Sequence, residues 1–245
     1  MRIAAVCDTR HMDRGSSPRR HTSGPIARVS GYVAECLALD ADEVAAEHRD
    51  RVASAPTRSS SYVVDHNISG RAEVSGRGEE LLAHRIFELG ATLHLQGWEP
   101  VTVVDFQMPL NSMRSDRLGK VDLLGAGSGL CVIELKVPGA SSDTPLSALL
   151  EGVGYAAVVE ANATLIVDEL RSRGHRAEES AGSVLVLGPK DYWARWDRTR
   201  TTADWRRALR VAGATLSKAT GLRVGFGSFD LAGIGPSLPV SDALG

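Results

Sequence analysis

Residues 119–137 read GKVDLLGAGSGLCVIELKV: two apolar strands joined by a glycine-rich turn. Each strand carries charge where a buried strand should be apolar. Asp122 interrupts Val121 and Leu123-Leu124, while Glu134 and Lys136 interrupt the run from Leu130 to Val137. Charges in such a setting are costly unless they are paired or bind a metal, so these three residues define a candidate site. Side chains alternate faces along a strand. Glu134 and Lys136 therefore share one face, and Ile133, Leu135 and Val137 the other. Asp122 joins the charged face if it lies opposite Val132 or Glu134; a slip of one residue turns it away.

Two carboxylates beside a lysine are hard oxygen donors next to a positive group. Such a set favours Mg²⁺ or Mn²⁺ over zinc. A divalent cation there holds a phosphate oxygen and lowers the pKa of a bound water. The lysine orients that water or stabilises charge developing on the phosphate. Together these parts suit phosphodiester hydrolysis.

Working outward, Gly78 to Leu89 (GEELLAHRIFEL) has helical periodicity, with Glu79, Leu82, Ile86 and Leu89 on one face. An acid at the start of an apolar helix face is either a partner of the helix dipole or a member of a site. Strands are expected over residues 92–95 and 101–106, and a loop with Arg114 and Arg117 precedes the hairpin. A small-residue helix is expected over 146–161, continued or restarted over 165–173. A buried strand over 184–187, an amphipathic helix over 203–220 and a strand over 222–229 follow. Upstream, residues 25–38 have helical periodicity. Asp40 and Glu43 have capping-box spacing for a second helix to about Ser54, and a short strand is expected at Tyr62 to Val64. The expected division is an extension with a helix pair over 1–70, one domain over 71–235 and a disordered tail over 236–245.

The Asp122…Glu134-Leu135-Lys136 pattern, at the end of an apolar strand, resembles the PD-(D/E)xK nuclease superfamily. Val121 stands where that family usually has proline. The order helix, three strands, helix, strand over residues 76–190 is similar to its restriction-endonuclease-like fold. The resemblance therefore implies an α/β fold with a central mixed sheet flanked by helices, here with a helical N-terminal extension. It also implies that Asp122 and Glu134 bind Mg²⁺ or Mn²⁺, with the Leu135 carbonyl as a further ligand. Lys136 would position or activate the attacking water, and Glu79, or its neighbour Glu80, would reach the metal through water. Many members carry Gln-x-x-x-Tyr on the following helix. Glu151 and Tyr155 look like a variant of it, an i,i+4 pair on one face, supporting the site or the nucleic-acid backbone. The implied activity is metal-dependent cleavage of DNA, with RNA as the other substrate, in host defence, restriction or repair. A dimer would suit double-strand cutting, and the extension is a candidate contact for a partner protein. The competing reading is a catalytically silent nuclease-fold protein that binds nucleic acid or a protein.

Other features narrow these readings. The formal net charge is −2, so no global basic field marks a nucleic-acid partner. A local candidate is the cluster of Trp193, Trp196 and Trp205 among Lys190, Arg195, Arg198, Arg200, Arg206, Arg207 and Arg210. It reads either as base-stacking and phosphate-contacting or as an amphipathic element with its tryptophans packed inward. The basic segment over residues 10–21 reads as a solvated arm or a phosphate contact. Cys7, Cys36 and Cys131 form no CxxC pair, which argues against a zinc site and suits a reducing cytoplasm. No P-loop is present, and no apolar run approaches the length of a membrane span. The expected location is cytoplasmic.

Overall fold

The computed structural model describes residues 33, 35–63, 78–110, 119–138, 144–179, 182–197 and 205–245. Its strands are β1 (Thr92–Leu95), β2 (Val101–Pro109), β3 (Lys120–Ala126), β4 (Leu130–Leu135), β5 (Ser183–Pro189), β6 (Arg223–Phe229) and β7 (Ser237–Asp242). They close into one barrel in sequence order. Neighbours from β1 to β4 are antiparallel, β4–β5 and β5–β6 are parallel, β6–β7 is antiparallel, and β7 runs parallel to β1.

This closure corrects the expected restriction-endonuclease-like core with its central sheet. The cause is β7, formed by residues expected to be a disordered tail. Leu238 and Val240 are buried on alternate positions of that strand, giving the period-2 signature of a half-buried strand. Thr92 to Leu95 pair with Ser237 to Val240 on one side, and Gly227 and Ser228 pair with Asp242 and Ser241 on the other. Gly233, Gly235, Pro236 and Pro239 obscure this strand in the sequence.

Two apolar layers result. One takes residues from every strand, among them Leu93, Phe106, Leu123, Ile133, Leu185, Phe229 and Leu238, and so lies on the enclosed face. Helix α2 (Gly78–Glu88) adds Ala83 and Ile86 to it. The other layer lies between the opposite face of β2 to β6 and helices α1 (Ala41–Ser54), α3 (Pro145–Ala161), α4 (Ala163–Ser172), α5 (Lys190–Asp197) and α6 (Trp205–Thr220). Helix α3 is buried almost all round, as an apolar central helix must be. It starts at Thr144, whose hydroxyl accepts from Ser147 N at 3.1 Å, with Pro145 in the first turn.

The N-terminal extension belongs to this outer layer. Asp40 caps α1 by accepting from Asp42 N and Glu43 N at 3.1 and 3.0 Å. Val44 and Ala41 then pack against α3 and α6. His48 is buried on the same helix, and burial, reinforced by Arg49 and Arg51, lowers its pKa below the ordinary value. Beyond α1, Glu169 of α4 holds the chain by accepting from Ser61 Oγ, Tyr62 N and Val63 N at 2.7, 2.8 and 2.9 Å. Tyr62 and Val63 are therefore a bend tied to a carboxylate, not the expected strand. Val64 and the start of the first expected helix lie outside the described residues.

Among the described residues no single helix is long and apolar enough to cross a membrane; α3 and α4 reach the required length and hydropathy only as a pair bent by 76°.

Replacing Leu238 by Ala tests the closure. A fully buried leucine should cost about 2–5 kcal/mol on truncation, read as a lower urea midpoint. A tail that does not pack would leave the midpoint within about 0.5 kcal/mol of wild type.

Candidate active site

The register of the central hairpin decides where the charges fall. Leu123 pairs with Ile133, Leu124 with Val132, and Gly125 with Cys131. Continued by one residue, this antiparallel register puts Asp122 opposite Glu134. Side chains directly opposite in such a pair have Cβ atoms about 4.5–5.5 Å apart. Both residues face the helical layer, where Leu124 and Val132 also point.

Lys136 follows on the same face, just beyond the last residue of β4, and its N–H donates to Leu187 O of β5 at 2.8 Å. Its ammonium is 3.5 Å from Glu134 Oε2, with the two residues 4% and 1% exposed. Burial alone would lower the lysine pKa. Glu134, Asp122, Glu79 and Glu151, in that order, raise it, and their combined field wins: the pKa moves up from its ordinary value. Lys136 is therefore a buried cation, and the four carboxylates named from the sequence all act on it.

Each acid reaches this point from a different element. Helix α2 begins beside the end of β4, where a Cβ on Gly78 would lie 3.7 Å from Val137 Cγ2, and this brings Glu79 near the lysine. Glu79 contributes to the lysine's field. Glu151 comes from α3, and its Oε1 accepts from the Tyr155 hydroxyl at 2.6 Å. The i,i+4 spacing is what allows this bond. Two glycines allow the close approach. A Cβ on Gly152 would lie 2.6 Å from Val184 Cγ1 and 3.2 Å from Glu134 Cγ, so α3 sits directly on Glu134 only because that residue is glycine. Gly119 has φ +81°, and a Cβ there would meet the Tyr155 hydroxyl at 2.6 Å.

Asp122 is held from both sides. Its Oδ2 accepts from Leu135 N at 3.1 Å, and its Oδ1 accepts from Gln107 Nε2 at 3.1 Å. Gln107 did not figure among the residues taken from the sequence. It has φ +49°, and no other non-glycine residue among those described has a positive φ. That conformation costs an L-residue about 1–2 kcal/mol. Asp105, fully buried on the same strand, was also passed over; its Oδ1 accepts from Phe106 N at 2.8 Å. The criterion that singled out Asp122, a polar side chain inside an apolar strand, applies equally to both.

The donor chemistry suits a hard cation. Among the described residues no group of three or more His, Cys, Asp or Glu stands at metal-holding spacing. Mg²⁺ commonly keeps several waters and binds through one or two carboxylates plus substrate phosphate. Asp122 opposite Glu134 supplies the two carboxylates of that mode.

Two tryptophans of the tryptophan and arginine segment are packed inward. Trp193 and Trp205 are buried, their rings stacked 6.4 Å apart at 5°. Trp193 Nε1 donates to Gly227 O at 2.9 Å and Gly188 O at 3.2 Å. Arg195 lies over the Tyr192 and Trp196 rings at 4.9 and 4.8 Å, and Arg206 pairs with Asp197 at 2.6 Å. Arg114, Arg117, Arg198, Arg200 and the basic arm over residues 10–21 lie outside the described residues.

Comparison with protein-family models, with curated proteins and with solved structures finds no match to this chain.

Gly152→Ala probes the seating of α3 on Glu134. The added methyl has to displace Val184 or Glu134, and overpacking of this kind costs about 1–3 kcal/mol. The stability loss should appear in chemical denaturation. An unchanged midpoint would contradict the close approach.

Proposed function

We propose that this chain is a metal-dependent phosphodiester hydrolase acting on DNA, with Asp122, Glu134 and Lys136 at its centre. The observation that carries the reading is the buried Lys136 ammonium 3.5 Å from the buried Glu134 carboxylate, with Asp122 opposite Glu134 on the neighbouring strand. Burying one cation among several acids is costly for a purely structural purpose, since an apolar set of similar volume usually serves as well or better. The resemblance to PD-(D/E)xK nucleases supplies the reaction class.

In this reading Asp122 and Glu134 hold Mg²⁺ or Mn²⁺, with the Leu135 carbonyl as a third oxygen donor and Glu79 acting through water. When bound, the cation would activate water and neutralise phosphate charge. Lys136 works as a cation. Its ammonium, 3.5 Å from Glu134, is placed to orient or activate the attacking water and to stabilise the negative charge growing on phosphate oxygens. Tyr155 fixes the Glu151 carboxylate by its 2.6 Å bond and so limits how that acid can turn toward Lys136. The excess of acids over the single ammonium attracts a divalent cation and repels phosphate approaching without one.

One observation favours a second reading, a nucleic-acid or protein binder that does not cleave. Lys136 and Glu134 already form a close buried ion pair, an arrangement that is stable without further chemistry. Incubation of plasmid and linear DNA with Mg²⁺ or Mn²⁺ separates the two. The wild-type protein should nick or linearise the plasmid, and Asp122→Asn and Lys136→Met should each lower the rate at least about 100-fold, as loss of an electrostatic catalytic group does. A wild-type protein inert with both metals on both DNA forms would leave the binding reading. Cleavage undiminished in both variants would exclude this site.

A further inference from the structure

Gln107 sits in the middle of β2 between two paired rungs, Phe106 with Leu123 and Met108 with Val121. Nothing in the pairing itself asks for a left-handed residue there. Glycine takes that conformation freely, and asparagine tolerates it better than most residues; glutamine has neither advantage. What this backbone turn does is aim the Gln107 amide, which donates to Asp122 Oδ1 at 3.1 Å.

A second irregularity on the same strand points to the same contact. The β2–β3 register shifts between Val103 and Asp105. Before the shift Thr102 pairs with Ala126 and Val103 with Gly125; after it Asp105 pairs with Leu124 and Phe106 with Leu123. Had the first register continued, Phe106 would face Asp122. The extra residue brings Gln107 opposite Asp122 instead, and a β-bulge is the usual device for re-aiming a side chain. A row then runs across three strands: Gln107, Asp122, Glu134.

We infer that Gln107 is a positioning residue for the proposed metal site. It acts through Asp122, and the inference rests on the reading of Asp122 as a metal ligand. Its amide takes one carboxylate oxygen while the Leu135 N–H takes the other. The plane of the carboxylate is thereby fixed before any cation arrives. An ionised carboxylate offers about four acceptor sites, so these two bonds orient it without exhausting it. Partners of this kind orient metal ligands, and their loss typically lowers metal affinity about 10–100-fold.

The test is titration of the full chain with Mn²⁺ alone by calorimetry, for wild type, Gln107→Gly and Asp122→Asn, with thermal unfolding of the same samples. Gln107→Gly relieves the backbone and removes the amide. It should melt at or above the wild-type temperature yet bind Mn²⁺ at least about tenfold more weakly. The half-saturating Mn²⁺ for plasmid cleavage should rise by the same factor, with the rate recovering at saturating metal. If the glycine variant does not fold, Gln107→Asn replaces it: asparagine tolerates the backbone but is one methylene too short to reach Asp122. Wild-type Mn²⁺ affinity in a folded variant overturns the inference alone. A wild-type chain that binds no Mn²⁺ overturns it together with the metal-site reading.

Discussion

Lys136 and its carboxylates can be buried only together. An ammonium 4% exposed loses nearly all its hydration, and Glu134 at 1% loses more. Either charge alone would neutralise itself or unfold its surroundings. Their mutual attraction, with Asp122, Glu79 and Glu151 added, outweighs the burial that would otherwise pull the lysine pKa down. This balance constrains much of the surrounding structure. The hairpin must keep the register that puts Asp122 opposite Glu134. Helix α2 must start beside the end of β4, and α3 must carry glycine where it crosses Glu134.

The barrel and the outer helices make those demands compatible. Closure through β7 fixes the strands around the enclosed apolar layer, leaving the opposite face of β2 to β6 for the helices. The charged row lies on that outer face, roofed by α3. Enclosure by an apolar helix lowers the local dielectric and strengthens each interaction in the row. The N-terminal extension, through α1 and the turn held by Glu169, packs on the same helical layer and so supports the roof from outside.

Much of this was legible in the sequence because it is local. Asp122, Glu134 and Lys136 stood out as charges in apolar strands, and alternation put Glu134 and Lys136 on one face. The Glu151 and Tyr155 pair was suggested by the resemblance and put on one face by helical spacing, and Asp40 followed from cap chemistry. Closure was not legible. Leu238 and Val240 are only two apolar positions among glycines and prolines, and their partners on β1 lie far back in the chain. Gln107 was legible only as a polar residue in an apolar strand. Its left-handed backbone was not, because no glycine or asparagine announces it. Which of Glu79 and Glu80 faces the lysine depends on where α2 meets β4, and spacing along one helix does not fix that. The tryptophan and arginine segment had two readings on composition alone. Packing removes Trp193 and Trp205 from the stacking reading, because both are buried and Trp193 spends its one donor on backbone carbonyls.

The central claim is that the acids around Lys136 exist to hold a divalent cation beside it. The most direct measurement is anomalous diffraction from crystals grown with Mn²⁺. The account predicts one strong anomalous peak in coordination contact with both the Asp122 and Glu134 carboxylates, with Lys136 Nζ drawn back from Glu134. Crystals saturated with Mn²⁺ that show no peak there, and in which the ammonium still sits against Glu134, would contradict it.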